Sequence, residues 1–319
     1  MLDRVLSACV DRAIARLPHT CRDVPATAEA LVDWTTRLSP TGRARDYFEG
    51  GRAIMFLLPW WLEKRIRSTP SVPFQELLVE STVNAYYFVR IIDNVMDENA
   101  ATERDVLPLL CILHANFSRA YARLFAPDEP FWDHFDRHWS RTANAAIREK
   151  QLSEFSPSDF VEIAARKTSG IKIPLAAVCC HYDRLDLLEP WCAFYDRLAC
   201  WQQMLDDTFD WMHDLRHGNV TFFLSEGNRQ KRRGESVSGW VVRRGFSWSS
   251  DWLAAAMRDL RRDAEKLESP ELVRFLEYRE AEVREYVEEL RRNLKEVATV
   301  ADAFEPIDEE PENEEAVQQ

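Results

Sequence analysis

The sequence is short of glycine, with nine residues in 319. That scarcity, and the near absence of polar/apolar alternation, excludes a β-rich fold, because strands need a period of two and their turns draw on glycine. Long uncharged apolar runs are missing too; none approaches the roughly 20 residues that cross a bilayer. The N-terminal stretch MLDRVLSACVDRAIARL mixes charge and apolar residues at helical spacing and lacks the unbroken apolar segment of a signal peptide. Cysteine comes in an odd number, seven, without zinc or redox spacing, and Cys179 and Cys180 are adjacent. Reduced core thiols are expected, not disulfides. Basic charge is in deficit: 41 Lys and Arg against 54 Asp and Glu give a net charge of −13. A nucleic-acid binder would need a basic face. The expectation is a soluble cytoplasmic protein with no nucleic-acid partner and no transmembrane segment.

What is present is apolar material at helical spacing. The 46% hydrophobic content supplies a core, and apolar residues recur at intervals of three and four. This predicts an all-α chain with helices near 3–17, 25–38, 43–68, 72–98, 103–125, 129–150, 157–180, 185–216, 219–230, 249–268 and 270–298. Prolines at 18, 40, 70, 73, 127, 130, 157 and 270 punctuate the breaks. Ser156-Pro157-Ser158-Asp159 is a helix-start signal. Connections are short, so one domain over 1–303 is expected, followed by an acidic, Pro-containing tail, 304–319, with the composition of a disordered segment. Residues 231–248, KRRGESVSGWVVRRGFSW, are the irregular exception: a basic loop, either mobile beside an anionic substrate or an ordinary surface loop.

The chemistry concentrates in three stretches. In WQQMLDDTFDWMHDLRHGNVTFFL, 201–224, Asp206, Asp210 and Asp214 recur every four residues, with Asp207 beside the first. Each step of four on a helix advances about 6 Å and turns about 40°, so the carboxylates form one row. Leu205, Phe209, Trp211 and Met212 between them imply a packed helix. Such a row is either a solvated surface or a site whose repulsion a cation relieves. Oxygen ligands without His or Cys favour Mg²⁺, held by a few carboxylates and a substrate's phosphates. A second pair, Asp93 and Asp97 with Glu98 adjacent, lies in AYYFVRIIDNVMDENA, 85–100, on a face shared with Arg90, Val89 and Tyr86. It falls at a helix C-terminus, where the macrodipole disfavours anions unless a cation offsets them. The third stretch, FVEIAARKTSGIKIPLAA, 160–177, sets Arg166, Lys167 and Thr168 before Gly170 and Pro174. These two should interrupt the helix and expose backbone groups toward a ligand, or else form a kink used for packing.

Together the three stretches resemble the class I isoprenoid synthase superfamily, which includes terpene synthases, trans-prenyltransferases, and squalene and phytoene synthases. YYFVRIIDNVMDE is most similar to the squalene/phytoene group. QQMLDDTFDWMHDLRHG, with Gln203, Asp206-Asp207, Asp210, Asp214 and Gly218, is similar to the prenyltransferases' DDxxD helix and shares a frame with phytoene synthases. Lys167-Thr168 resembles the prenyltransferase Lys-Thr pair that contacts diphosphate. The departures are specific. Asn94 follows Asp93, no arginine pair follows Asp97, Gly50-Gly51-Arg52 matches the elongases' glycine-lysine-arginine site only in part, and Tyr278-Arg279 reverses the cyclases' Arg-Tyr order.

The resemblance implies a single-domain helical bundle around a central cavity and a small-molecule prenyl diphosphate substrate. It also implies Mg²⁺, three ions in the family, shared between the two acidic helices. The metal ligands would be Asp93, Asp97, Glu98, Asp206, Asp207, Asp210 and Asp214, with diphosphate held by Arg166, Lys167, Thr168, Arg90 and Gln203. Asp93, Asp97, Asp206, Asp210 and Lys167 would carry catalysis, and a homodimer is open. The first expectation is ionisation of an allylic prenyl diphosphate, followed by cyclisation or rearrangement. The alternatives are coupling of two prenyl units or chain elongation, and a catalytically silent helical binding protein. Tyr86, Phe88, Trp60, Trp61, Trp201 and Phe209 are candidates to face a carbocation.

Overall fold

The computed structural model of the chain describes residues 4–21, 25–98 and 106–303. The tail expected to be disordered lies outside these. Among the described residues every regular element is helical. The helices are α1 (Arg4–Arg16), α2 (Pro25–Leu38), α3 (Ile54–Arg67), α4 (Val72–Glu98), α5 (Leu109–Ala122), α6 (Phe131–Gln151) and α7 (Pro157–Lys167). They continue with α8 (Lys172–His181), α9 (Leu188–Phe209), α10 (Trp211–His217), α11 (Phe222–Gln230), α12 (Val237–Trp240), α13 (Phe246–Lys266) and α14 (Pro270–Ala303). Contacts group the chain into one compact unit ending at Arg279 and a second from Glu280 onward. No described helix is long and apolar enough to cross a membrane.

Two helices form the inner layer. α8 buries every residue from Lys172 to Cys179, and α3 every residue from Ile54 to Glu63. A helix apolar on all sides has to lie inside. α8 packs on α3, α6 and α9, while α4 runs against α1, α3 and α5, and α9 against α7 and α13. Glu63, buried in α3, is matched on every side: it accepts from Ser71 N–H at 2.7 Å, Gln75 Nε2 at 2.6 Å and Tyr182 O–H at 2.6 Å. It thereby ties the α3–α4 turn to the end of α8. Cys9, Cys111, Cys179, Cys180, Cys192 and Cys200 are free thiols, and burial pushes Cys179 and Cys192 up to about 12.

The predicted helices broke where local chemistry opposed them. The span 43–68 begins with two short 3-10 turns, Asp46–Phe48 and Gly50–Ala53, because Gly50 sits at φ +62° and diverts the chain before α3. The span 157–180 divides into α7 and α8 around a 3-10 turn, Ser169–Ile171. α7 starts at the predicted cap: Ser156 Oγ accepts from Asp159 N–H at 3.1 Å, and the Asp159 carboxylate accepts from Ser156 N–H at 3.3 Å. Pro174 falls in the first turn of α8, where its missing N–H costs nothing.

Much of the segment 231–248 is helical and packed, not an irregular loop. Ser236 caps α12, a π-helical turn follows at Val241–Gly245, and the fully buried Trp240 joins Phe223, Leu224 and Val241 in a core cluster. Glu235, nearly buried, draws in Arg244 at 2.5 Å. The basic composition hid a tryptophan anchor.

Candidate active site

The two acidic helices face one cleft. α9 stops at Phe209 and α10 starts at Trp211, with Asp210 as the hinge residue at φ −93°, ψ 5°. The helical hydrogen bonds nevertheless run through the break, from Asp210 N–H to the Asp206 carbonyl at 2.9 Å and from Asp214 N–H to the Asp210 carbonyl at 3.0 Å. The row of carboxylates therefore survives the bend. Gly218, at φ +71°, ends α10 in the left-handed conformation, and Asn219 Nδ2 donates to Asp214 at 3.2 Å.

Asp206, Asp207, Asp210 and Asp214 line a cleft of about 320 Å³ with Arg90, Glu149, Lys167, Gln203 and His213. Asp206 is open to the cleft, yet the protein crowding round it, and then Asp210, push its pKa up to about 6. Arg52, Arg279 and Lys167 pull the other way. Asp207 is buried and pushed up to about 7, first by desolvation and then by Asp214 and Asp206, against the Gln203 hydrogen bond. Both its oxygens are occupied, by Gln203 Nε2 at 2.7 Å and by the first N–H of α11, that of Phe222, at 3.2 Å. Asp207 thus fastens α11 to α9 as well as lining the cleft.

Across the cleft, Lys167 at the end of α7 reaches Glu149 at 2.8 Å and Asp93 at 3.5 Å, and Arg90 reaches Asp93 at 3.3 Å. Asp93 is so joined to α7 through Lys167, while Arg90 pairs with it along α4 itself. The side chains of Asp97 and Glu98 lie outside the described residues. Arg166 points away from this group: it pairs with Glu162 at 2.5 Å on the exposed side of α7, one residue and about 100° round the helix from Lys167. Thr168 turns inward, its hydroxyl donating to the Ala164 carbonyl at 3.3 Å.

A second cavity, of about 100 Å³ and almost wholly apolar, is lined by Met55, Tyr86, Val89, Phe117, Tyr121, Trp139, Thr168, Ile171 and Pro174. Lys167 lines this cavity and the acidic cleft alike. Of the aromatic candidates only Tyr86 is in this lining. Trp60, Trp61 and Trp201 are core residues, Trp201 donating to the Leu253 carbonyl at 3.2 Å. Phe88 packs at a tilt against His114 and Trp139, and Phe209 is exposed. The cavity's other rings, Phe117, Tyr121 and Trp139, lie on α5 and α6, which carry no motif.

Glu149 and His213 carry no sequence signal for the site, while Arg52 and Arg279 figure in the sequence only as incomplete matches to family motifs. Arg52 stacks over Tyr47 at 4.5 Å, and Arg279 lies against Gly51, where a Cβ would stand 3.0 Å from its guanidinium. Gly51 is thus the residue that lets Arg279 approach, a link no local pattern encodes.

Among the described residues no three His, Cys, Asp or Glu side chains converge on one point. The donor set still fits Mg²⁺. It is made of hard oxygens in a row, and of the two causes that raise Asp206, burial first and then Asp210, the second is a repulsion that a divalent cation relieves.

An acidic helix row beside one cleft, with an apolar cavity next to it in an all-helical bundle, is the arrangement that the motifs' resemblance implies. Among solved structures the chain is similar to a geranylgeranyl pyrophosphate synthetase from the archaeon Geoglobus acetivorans. The TM-score is 0.62, over 89% of this chain and 98% of that one, at 11% sequence identity. No family model and no curated protein matches the chain. At such identity the likeness is one of fold, and the chemistry has to be argued from the residues.

Proposed function

We propose that the chain ionises an allylic prenyl diphosphate, with the diphosphate in the acidic cleft and the hydrocarbon chain in the apolar cavity. The observation that carries this reading is the sharing of Lys167 by the two compartments. An amphiphile with a dianionic or trianionic head and an apolar tail has each part matched there, and the bond to be broken lies where they meet.

Asp93 on one wall and Asp206, Asp210 and Asp214 on the other would hold Mg²⁺, with Asp97 and Glu98 as further donors. When bound, the metal supplies positive charge that stabilises the leaving diphosphate. Lys167 and Arg90 donate to the diphosphate oxygens as charge develops on them. Gln203 and Asn219 fix the orientation of Asp207 and Asp214. The buried rings of Phe117 and Tyr121 and the half-buried ones of Tyr86 and Trp139 exclude water from the cation left behind and face it with electron-rich surfaces, each contributing on the order of 1–2 kcal/mol when dry.

The first reading of the cation's fate is intramolecular cyclisation or rearrangement. It rests on the missing arginine pair after Asp97. A second reading, attack by another prenyl unit, is favoured by Arg52 and Arg279, both close enough to Asp206 to lower its pKa. Both bring positive charge near Asp206 that a second anionic head could use. The structural neighbour's name, a geranylgeranyl pyrophosphate synthetase, points the same way.

A turnover assay separates these. Geranyl, farnesyl and geranylgeranyl diphosphate are each supplied with Mg²⁺ or EDTA, with and without isopentenyl diphosphate. Mg²⁺-dependent diphosphate release with a product from one substrate supports cyclisation, and products longer than the substrate support coupling. No release from folded protein under any condition would leave a helical binding protein.

A further inference from the structure

The break between α7 and α8 places Lys167, and it is held from outside by α6. On α6, His138, Thr142, Ala145 and Glu149 recur at intervals of four, three and four, which puts them on one face. Glu149 meets Lys167 directly at 2.8 Å. One turn and more back along the same face, Thr142 Oγ1 accepts the Gly170 N–H at 2.9 Å and donates its own proton to the His138 carbonyl at 3.2 Å. His138 Nδ1 stands 2.9 Å from Ser169 Oγ, and His138 and Ser169 are both buried.

The chemistry of a helix break explains why these contacts matter. Where α7 ends at Lys167, the next N–H groups lose their carbonyl partners four residues back. The sequence suggested that such groups would face a ligand. The Gly170 N–H does not: Thr142 has it. Because the threonine proton is committed to the His138 carbonyl, a lone pair is left directed at Gly170. The hydroxyl therefore has one orientation, and so does the turn it holds. Gly170 stands three residues from Lys167, so motion of the turn moves the ammonium in the cleft.

We propose that Thr142 is a positioning residue, acting through the Ser169–Ile171 turn to set Lys167 against the diphosphate. This rests on the reading of the cleft as a diphosphate site. A hydrogen bond to a charged group is worth about ten- to a hundredfold in affinity (about 1.5–3 kcal/mol), and most of that is lost when the donor is moved out of reach. Thr142→Val keeps the side chain's shape against the apolar cavity and removes the hydroxyl, both the acceptor of the Gly170 N–H and the donor to the His138 carbonyl. A ligand without a tail isolates the effect from packing.

The test is calorimetric binding of inorganic pyrophosphate in the presence of Mg²⁺. The proteins compared are wild type, Thr142→Val, Thr142→Ser, Lys167→Met and the Thr142→Val/Lys167→Met double variant, each checked for helicity. Thr142→Ala replaces the valine variant if that one does not fold. The expected result is about tenfold weaker binding for Thr142→Val and recovery in Thr142→Ser. In the Lys167→Met background the valine substitution should have no further effect. Wild-type affinity in Thr142→Val, or an equal loss in the Lys167→Met background, overturns the proposal. Absence of pyrophosphate binding by the wild type overturns the diphosphate reading of the cleft and this inference with it.

Discussion

Residues of the same type do different work in this site, and substitution separates them. Asp210→Ala or Asp93→Ala should reduce turnover at least about a hundredfold, since each removes charge aimed at the reacting head. For Asp210→Ala the melting temperature of metal-free protein should hold or rise, because the change relieves Asp206 of a like charge. Retention of full activity in both variants would mean that the carboxylates are not the metal site. His138 sets a pH dependence of another kind. Burial first, and then the charge of Lys172, press its pKa down from 6.5 to about 3. Below pH 6.5 the unfolded chain takes up a proton that the folded one refuses until about pH 3. The stability due to neutral His138 is therefore complete above pH 6.5 and is lost as pH falls toward 3. At pH 5 the loss is about 2 kcal/mol. Thermal melts at pH 7 and pH 5 should fall further for wild type than for His138→Gln, and parallel falls would contradict this. The motif residues were legible because their spacing has a meaning on any helix. Glu149 was not, because its partner Lys167 comes 18 positions later and only folding brings them together.

At the level of elements, the long helices were readable from apolar period and proline punctuation, and α2 and α4 have the bounds that these predict. The interruptions were less so. A break at Ser169–Ile171 could be seen from Gly170, but not that α6 would satisfy it. The bend at Asp210 has no sequence mark at all, since nothing in TFDWM opposes a helix. The segment 231–248 misled by composition: its arginines lie outside while Trp240 inserts between Gly227 and Gly245. A Cβ at Gly245 would stand 2.7 Å from the Trp240 ring, and one at Gly227 2.9 Å from it. Gly245→Ala should therefore destabilise by about 1–3 kcal/mol through overpacking, and Trp240→Ala by about 3–5 kcal/mol through the cavity it leaves. Denaturant melts measure both, and an unchanged midpoint for either would show that the segment is not anchored as described.

For the whole molecule, the excess of negative charge is not spread evenly, because one cleft gathers carboxylates that a cation would relieve. Mg²⁺ and pyrophosphate together should raise the melting temperature more than either alone, the added stability reaching about 2.7 kcal/mol at a hundredfold excess over the dissociation constant. EDTA should reverse it. No shift with both present would argue against a joint metal–diphosphate site. The two compartments meeting at Lys167 have a consequence for how such a protein can be altered. Head-group affinity and tail preference are not independent traits here, since one ammonium borders both. A library that varies the apolar lining would have to hold position 167 fixed, and selection for a new tail would reach the head through that residue unless the change were made deeper, at Phe117 or Tyr121.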